Sequence, residues 1–327
     1  MIRIRELNKK FRVHKKEAGL GGSLKSLIKR NYVEKQALRD ISLDVEEGEI
    51  LGLVGANGAG KTTLVKILAG IIHPDSGEVR ILGHEPWKRK NEFRSQIALI
   101  MGQKAQLWWD LPALDCFMLL REIYRVPPRV HRERLDFLAE TLGVSRLLDI
   151  QIRRLSLGER MKLELIAALL HNPRVVFLDE PTIGLDITAQ RAIRNFLLEF
   201  RNRHKPAMLL TSHYMEDIER LCKRIVILRE GEIVYDGSLE KILADYARYK
   251  IISAQLLDHE GETLPEPPRE LGEILSLDRD FLKLQTPRDK AADAARFLLA
   301  RYPVMDLNIE EEDISSVIEN IMKGESG

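Results

Sequence analysis

Hydrophobic positions along the chain fall into two regimes. Up to about residue 245, short unbroken apolar runs end in glycine or polar groups and alternate with stretches of helical spacing. EILGLVG (49–55), RVVFLDE (174–180) and AMLLTSH (207–213) are runs of the first kind, and KTTLVKILAG (61–70) has the spacing of the second. Unbroken apolar runs predict parallel strands buried on both faces, and ligands of such sheets sit at the carboxyl ends of the strands. MIRIRELNKKF (1–11) alternates as a strand does, ALRDISL (37–43) reads as the next strand, and residues 112–154 read as helical around a turn at Pro127–Pro128. The expected fold class is α/β.

Two segments depart from this pattern. Residues 14–36 form a basic, glycine-bearing insertion, within which SLKSLIKRNY (23–32) puts Leu24, Leu27 and Ile28 on one helical face. After about residue 246 the elements become those of a small α+β module. RYKIISAQLL (248–257), FLKLQTP (281–287) and VMDLNIE (304–310) read as strands, and DKAADAARFLLARY (289–302) and DISSVIENIMK (313–323) as helices. A proline-rich turn, LPEPPRE (264–270), lies between them. The expected domains are therefore 1–245, with a helical part at about 105–170, and 246–327.

Charge narrows the partners. Fifty-one basic and fifty acidic residues leave a net charge of +1, with no global pull toward nucleic acid or an acidic membrane. Cys116 and Cys222 have no His or Cys at metal-ligand spacing and are expected to be buried thiols in a reducing compartment. No run approaches the roughly 20 apolar residues that span a bilayer, and the first residues lack the apolar core of a signal peptide. The chain is expected in the cytoplasm, peripheral on the cytoplasmic face of the cell membrane.

GANGAGKTT (55–63) matches G-x-x-x-x-G-K-[ST], with Gly55, Gly60, Lys61 and Thr62 at the defining positions. Glycines let backbone N–H groups curl around phosphate oxygens, Lys61 reaches the β and γ oxygens, and the Thr62 hydroxyl binds Mg²⁺. Asp179, at the end of VVFLDE (175–180), is expected to hold the Mg²⁺ shell. A second carboxylate beside a magnesium nucleotide is electrostatically costly without a task. Orienting or taking a proton from an attacking water is the task expected of Glu180.

In order and spacing these residues resemble the ATP-binding subunits of ABC transporters, over residues 1 to about 245. The resemblance implies a P-loop NTPase fold with a helical signature subdomain. GANGAGKTT is similar to the family's Walker A loop, which would bring Asn57, Gly58 and Thr63 to ATP as well, and VVFLDE to Walker B. The glutamine of IMGQKAQ (100–106) makes Gln103 the Q-loop residue, near catalysis and metal. LSLGE (155–159) resembles the signature motif, IGLD (183–186) the D-loop with Asp186, and TSH (211–213) makes His213 the switch histidine. By resemblance two such chains face each other head to tail, and Ser156 and Gly158 contact the γ-phosphate held by the partner. A homodimer is the simpler expectation, because the chain has one motif set.

The resemblance has departures. Leu157 stands where the family has glycine, and Glu159 where it has glutamine. The family stacks adenine on an aromatic just after the first strand. Phe11 fits by distance from that strand and Tyr32 by distance to the next, with Phe11 preferred. Trp108 and Trp109, in QLWWDLP (106–112) beyond Gln103, are expected to meet a separate membrane permease near residues 103–112. The 14–36 insertion resembles one found in polysaccharide exporters, and the chain as a whole resembles ATPases of ABC-2-type exporters. A different class is an ABC ATPase acting on ribosome or DNA. The single motif set and the short span 64–154 speak against it.

Overall fold

Strand β3 (Ile50–Gly55) is buried at every position, as its unbroken apolar run requires. The structure is a computed structural model that describes residues 1–14, 32–102, 104–257 and 265–324. Ahead of β3, β1 (Ile2–His14) and β2 (Tyr32–Val45) form an antiparallel ribbon in which Ile2, Ile4, Leu7, Leu38 and Ile41 point inward. The interruption expected over 14–36 is shorter at its C-terminal end, because Tyr32–Gln36 pair across from Lys10–His14. The helix expected at 23–32 lies outside the described residues, apart from Tyr32, which is in β2.

Helix α1 (Lys61–Leu68) follows β3, and β4 (Ser76–Ile81) joins β1 to complete a three-stranded sheet in the order β2-β1-β4. Short helix α2 (Asn91–Arg94) leads to β5 (Ile97–Met101). The helical stretch expected at 112–154 divides into α3 (Ala113–Tyr124), α4 (Pro128–Thr141) and two short 3₁₀ turns. Next come α5 (Leu157–Leu169), β6 (Val175–Asp179), α6 (Ile187–His204), β7 (Ala207–Thr211), α7 (Met215–Leu221), β8 (Arg224–Arg229) and β9 (Glu232–Ser238).

The second sheet runs β5-β6-β7-β3-β8-β9, and its first five strands pair in parallel. All of those strands therefore end on one edge. One face shares a core with the first sheet and α1, to which Val175, Phe177 and Leu209 contribute. On the other face Gly52 lies so close to Ile218 of α7 and to Cys222 that a Cβ would stand 3.1 Å from the Cys222 sulfur. Both cysteines are buried free thiols, and burial pushes each thiol's pKa up.

The chain divides into units Met1–Asp236 and Gly237–Gly327. This division comes earlier than the boundary expected at 245, because α8 (Leu239–Tyr246) packs on α10 (Ile314–Lys323) within the second unit. There β10 (Tyr249–Leu256), β11 (Glu273–Leu277), β12 (Phe281–Pro287) and β13 (Val304–Glu311) form an antiparallel sheet in the order β11-β12-β10-β13. Alternate residues Ile252, Ala254, Leu256, Leu282 and Leu284 pack under α9 (Ala291–Arg301), which supplies Ala294 and Leu298. No helix among the described residues is long and apolar enough to cross a membrane.

His171 joins the helical layer to the sheet edge. Its ring stacks on Tyr124 of α3 at 3.9 Å, and Nε2 lies 3.0 Å from the Ile97 carbonyl of β5. With the proton on Nε2, Nδ1 is buried and unpartnered. Burial, and more weakly the nearby Arg134, depress the ring's pKa to about 4. The folded ring is thus neutral, and the unfolded chain, with an ordinary value near 6.5, binds the proton first. Stability from this group is present above pH 6.5 and lost as pH falls toward 4. A His171→Gln variant keeps the donor to Ile97 and should lose less stability than wild type between pH 7 and pH 5, by on the order of 2 kcal/mol, in denaturant melts at both pH values.

Candidate functional site

β3 hands the chain to α1 through residues 56–60. Ala56, Asn57 and Gly58 are exposed at the sheet edge, while Ala59 is buried. Gly60 has φ 111°, and a Cβ there would stand 2.6 Å from the Ala37 carbonyl, so only glycine closes this turn. The first α1 residues, Lys61, Thr62 and Thr63, carry N–H groups without partners inside the helix, which is anion-binding equipment. The Lys61 chain folds back over the loop, and its ammonium donates to the Gly55 carbonyl at 2.5 Å and to Ala56 at 3.3 Å. Burial holds this ammonium's pKa below its usual range, while Glu180 and Asp179 act the other way.

Two carboxylates lie at the end of β6. Asp179 is buried, and its Oδ1 accepts from Thr211 Oγ1 at 2.7 Å and from Thr62 Oγ1 at 3.3 Å. Thr62 and Asp179 form an oxygen pair suited to a hard cation. Glu180 takes a left-handed backbone with φ 56°, sparsely populated by non-glycine residues. Its N–H donates to both the carbonyl and the hydroxyl of Thr211 at 3.1 Å. Its carboxylate meets His213, with Nε2 and Oε1 2.8 Å apart. From β5, Gly102 donates its N–H to the Asp179 carbonyl at 2.9 Å. A Cβ on Gly102 would sit 2.0 Å from the Glu180 carbonyl oxygen.

Parallel strand order thus brings together the ends of β3, β5, β6 and β7, and with them Gly55–Thr63, Asp179, Glu180 and His213. Gln103 lies outside the described residues. Ser156 is not gathered to its own chain's cradle. It is exposed at the start of α5, where a capping box occupies it: its N–H and its hydroxyl donate to Glu159 Oε2 at 2.9 and 2.8 Å. Gly158 approaches α6, with a notional Cβ 3.0 Å from that of Ala189. Asp186 caps α6 by accepting the Ala189 N–H at 2.9 Å. Phe11 is half-buried under the Lys9 ammonium, and the Tyr32 side chain lies outside the described residues.

Sequence reading passed over several residues. Thr211 ties the Asp179 carboxylate and the Glu180 N–H to β7, and the hydroxyl in TSH was the available signal. Glu164 is 3% exposed inside α5 and accepts the N–H groups of Gln106 at 3.0 Å and Leu107 at 3.3 Å. Burial pushes its carboxyl pKa up, against these bonds. A lone carboxylate in LELIAALL was its only mark. Beyond Leu107, Trp108 and Trp109 are exposed, and the Arg160 guanidinium lies 5.2 Å from the Trp109 ring. A groove of ≈ 870 Å³ is lined by Leu99, Gln106, Leu120, Ile123 and Tyr124.

The family model "ABC transporter" matches residues 38–183, and "EvrA-like ABC transporter, C-terminal domain" matches 248–310. An uncharacterized ABC transporter ATP-binding protein of Methanocaldococcus jannaschii is 31% identical over 284 residues, 87% of this chain and 97% of its own length. The ABC transporter ATP-binding protein NatA of Bacillus subtilis is 31% identical over 207 residues, 63% of this chain and 84% of its own. Among solved structures, an ATP-binding subunit of an ABC transporter superposes with a TM-score of 0.62 at 25% identity, covering 75% of this chain and 92% of that one. A dimeric ATP-binding cassette bound to ADP and phosphate shares the fold, with a TM-score of 0.60 at 21% identity over 73% of this chain and 98% of that one. Their agreement with a cradle and paired carboxylates built on four adjacent strand ends leads to one conclusion: the chain belongs to the ABC transporter ATP-binding subunits and is an ATP-binding ATPase.

Proposed function

We propose that two copies of this chain pair head to tail, close over two ATP molecules, and drive a separate membrane permease in export. The observation that carries the reading is the 2.8 Å contact between His213 and Glu180 beside the Thr62–Asp179 pair. Thr62 and Asp179 would hold Mg²⁺, with Gln103 as a further ligand. When bound there, the ion would supply positive charge to offset that of the phosphates. Glu180 takes the proton of a water whose oxygen attacks the γ-phosphorus as the bond to the β-phosphate oxygen breaks, yielding ADP and phosphate. Lys61 and the N–H groups of Gly58, Gly60, Thr62 and Thr63 stabilise the phosphate charge, with Asn57 at the loop tip. His213 holds the Glu180 carboxylate at the γ-phosphate side. Phe11 is the preferred aromatic for adenine, ahead of Tyr32.

Exposure supports the pairing. Ser156 and Gly158 stand clear of their own cradle, and Leu157, Ile187 and Tyr214 leave apolar surface around the signature, Asp186 and His213. A second copy that buries this surface brings Ser156 to the partner's γ-phosphate. Trp108, Trp109 and Leu111, exposed apolar side chains, support permease docking near residues 103–112. The balanced charge of the chain favours no nucleic-acid partner. Export rests on the likeness of the 14–36 insertion to those of polysaccharide exporters. Among relatives, a Nod factor export ATP-binding protein of Burkholderia thailandensis is 33% identical over 211 residues, and a methionine import protein of Enterococcus faecalis is 33% identical over 227.

Glu180→Gln should abolish turnover while ATP binding persists, and ATP should shift the variant to a dimer in size-exclusion chromatography. Its pull-down from solubilised membranes should recover a polytopic protein. Recovery of ribosomal or DNA-bound proteins alone would sink the transport reading. Gly102→Ala forces a backbone shift at Glu180, so kcat should fall on the order of 10²-fold in a phosphate-release assay.

A further inference from the structure

We propose that Asp217 is a positioning residue for ATP hydrolysis, holding Glu180 and His213 in register through the hydroxyls of Thr182 and Ser212. The proposal rests on the reading of Glu180 as the base. Asp217 lies in α7 and is fully buried. Its Oδ2 accepts from Thr182 Oγ1 at 2.5 Å and from Ser212 Oγ at 2.6 Å. Thr182 stands two residues past Glu180, and Ser212 immediately precedes His213. One carboxylate oxygen therefore bridges the two segments whose side chains must meet at 2.8 Å.

The other oxygen reaches a third segment. Asp217 Oδ1 lies 3.1 Å from Nε of Arg194 in α6, itself 1% exposed. Arg194 also donates to the Gln190 side chain at 3.2 Å and pairs with Glu216. The Gln190 amide in turn donates to the Leu185 carbonyl, the residue before Asp186, at 3.1 Å. Two hydroxyl donors and a guanidinium converge on this group, which calls for a residue that only accepts. A carboxamide would turn a donor toward one of them. An unpaired carboxylate in this position would be strongly destabilising, so the site is built around its two hydroxyl donors and the Arg194 ion pair.

A role limited to anchoring α7 would show in stability alone. A positioning role shows in kcat, because Glu180 and His213 act in the chemical step and the cradle that binds ATP is untouched. Ser212→Ala and Thr182→Val each remove one hydroxyl and leave the Asp217–Arg194 pair, so both variants should fold. Each should lower kcat at least about tenfold, with KM for ATP within about twofold of wild type. The conservative variants Ser212→Thr and Thr182→Ser should restore most of the rate. Asp217→Asn should lose more than either hydroxyl variant. Wild-type turnover by Ser212→Ala and Thr182→Val, with Glu180→Gln inactive, would overturn the positioning role alone. Equal losses in the conservative variants would also overturn it. Full hydrolysis by Glu180→Gln would overturn the assignment of the base, and this role with it.

Discussion

The site depends on the 2.7 Å hydrogen bond from Thr211 Oγ1 to Asp179 Oδ1, which locks the carboxyl ends of two neighbouring parallel strands. Without it the strands would still pair, since their ladder needs only backbone groups. What would be lost is the setting of the side chains beyond the ladder. Thr211 is fully buried and uses its hydroxyl twice, donating to Asp179 and accepting from the Glu180 N–H. The second bond helps hold Glu180 in a left-handed conformation that costs of order 1–3 kcal/mol elsewhere. The strain turns the Glu180 carboxylate away from Asp179 and toward His213. Two adjacent carboxylates thus face different partners, one a hydroxyl pair and the other an imidazole.

From this lock the three residues of TSH divide the work. Thr211 holds the Asp179 carboxylate and the Glu180 N–H, Ser212 ties the strand end to Asp217, and His213 meets Glu180. The sheet makes the division possible, because parallel strands place β5, β6, β7 and β3 side by side with all their ends on one edge. The second unit has an antiparallel sheet buried on one face only, in keeping with its alternating sequence.

Much of this was legible in the sequence because the signals are local. An apolar run such as RVVFLDE declares a doubly buried strand, and GANGAGKTT declares its turn by its glycines. The residues that escaped act at long range. Glu164 sits among leucines where helical periodicity predicts core, and its partners, the N–H groups of Gln106 and Leu107, lie 57 and 58 positions away. Asp217 and Thr182 are 35 positions apart, and neither alone marks a hub. The division after Asp236 is hidden in the sequence for a similar reason. Helix α8 reads as a continuation of the first unit, and only its packing on α10 assigns it to the second.

Glu164 also shows how the two halves of the candidate site are joined. Gly102 is fixed by its N–H to the Asp179 carbonyl, and Gln106 by its N–H to Glu164 on α5. The Gln106 side chain adds a 2.6 Å bond to the Leu99 carbonyl of β5. Three residues of chain therefore lie between the Gly102 anchor and the Gln106 anchor on α5. So short a tether cannot absorb much displacement, since extended chain spans only about 3.5 Å per residue. Gly102 has no room for a Cβ beside Glu180. The N–H groups of Gln106 and Leu107 offset part of the cost of burying the Glu164 carboxylate inside α5, and burial still pushes its pKa up.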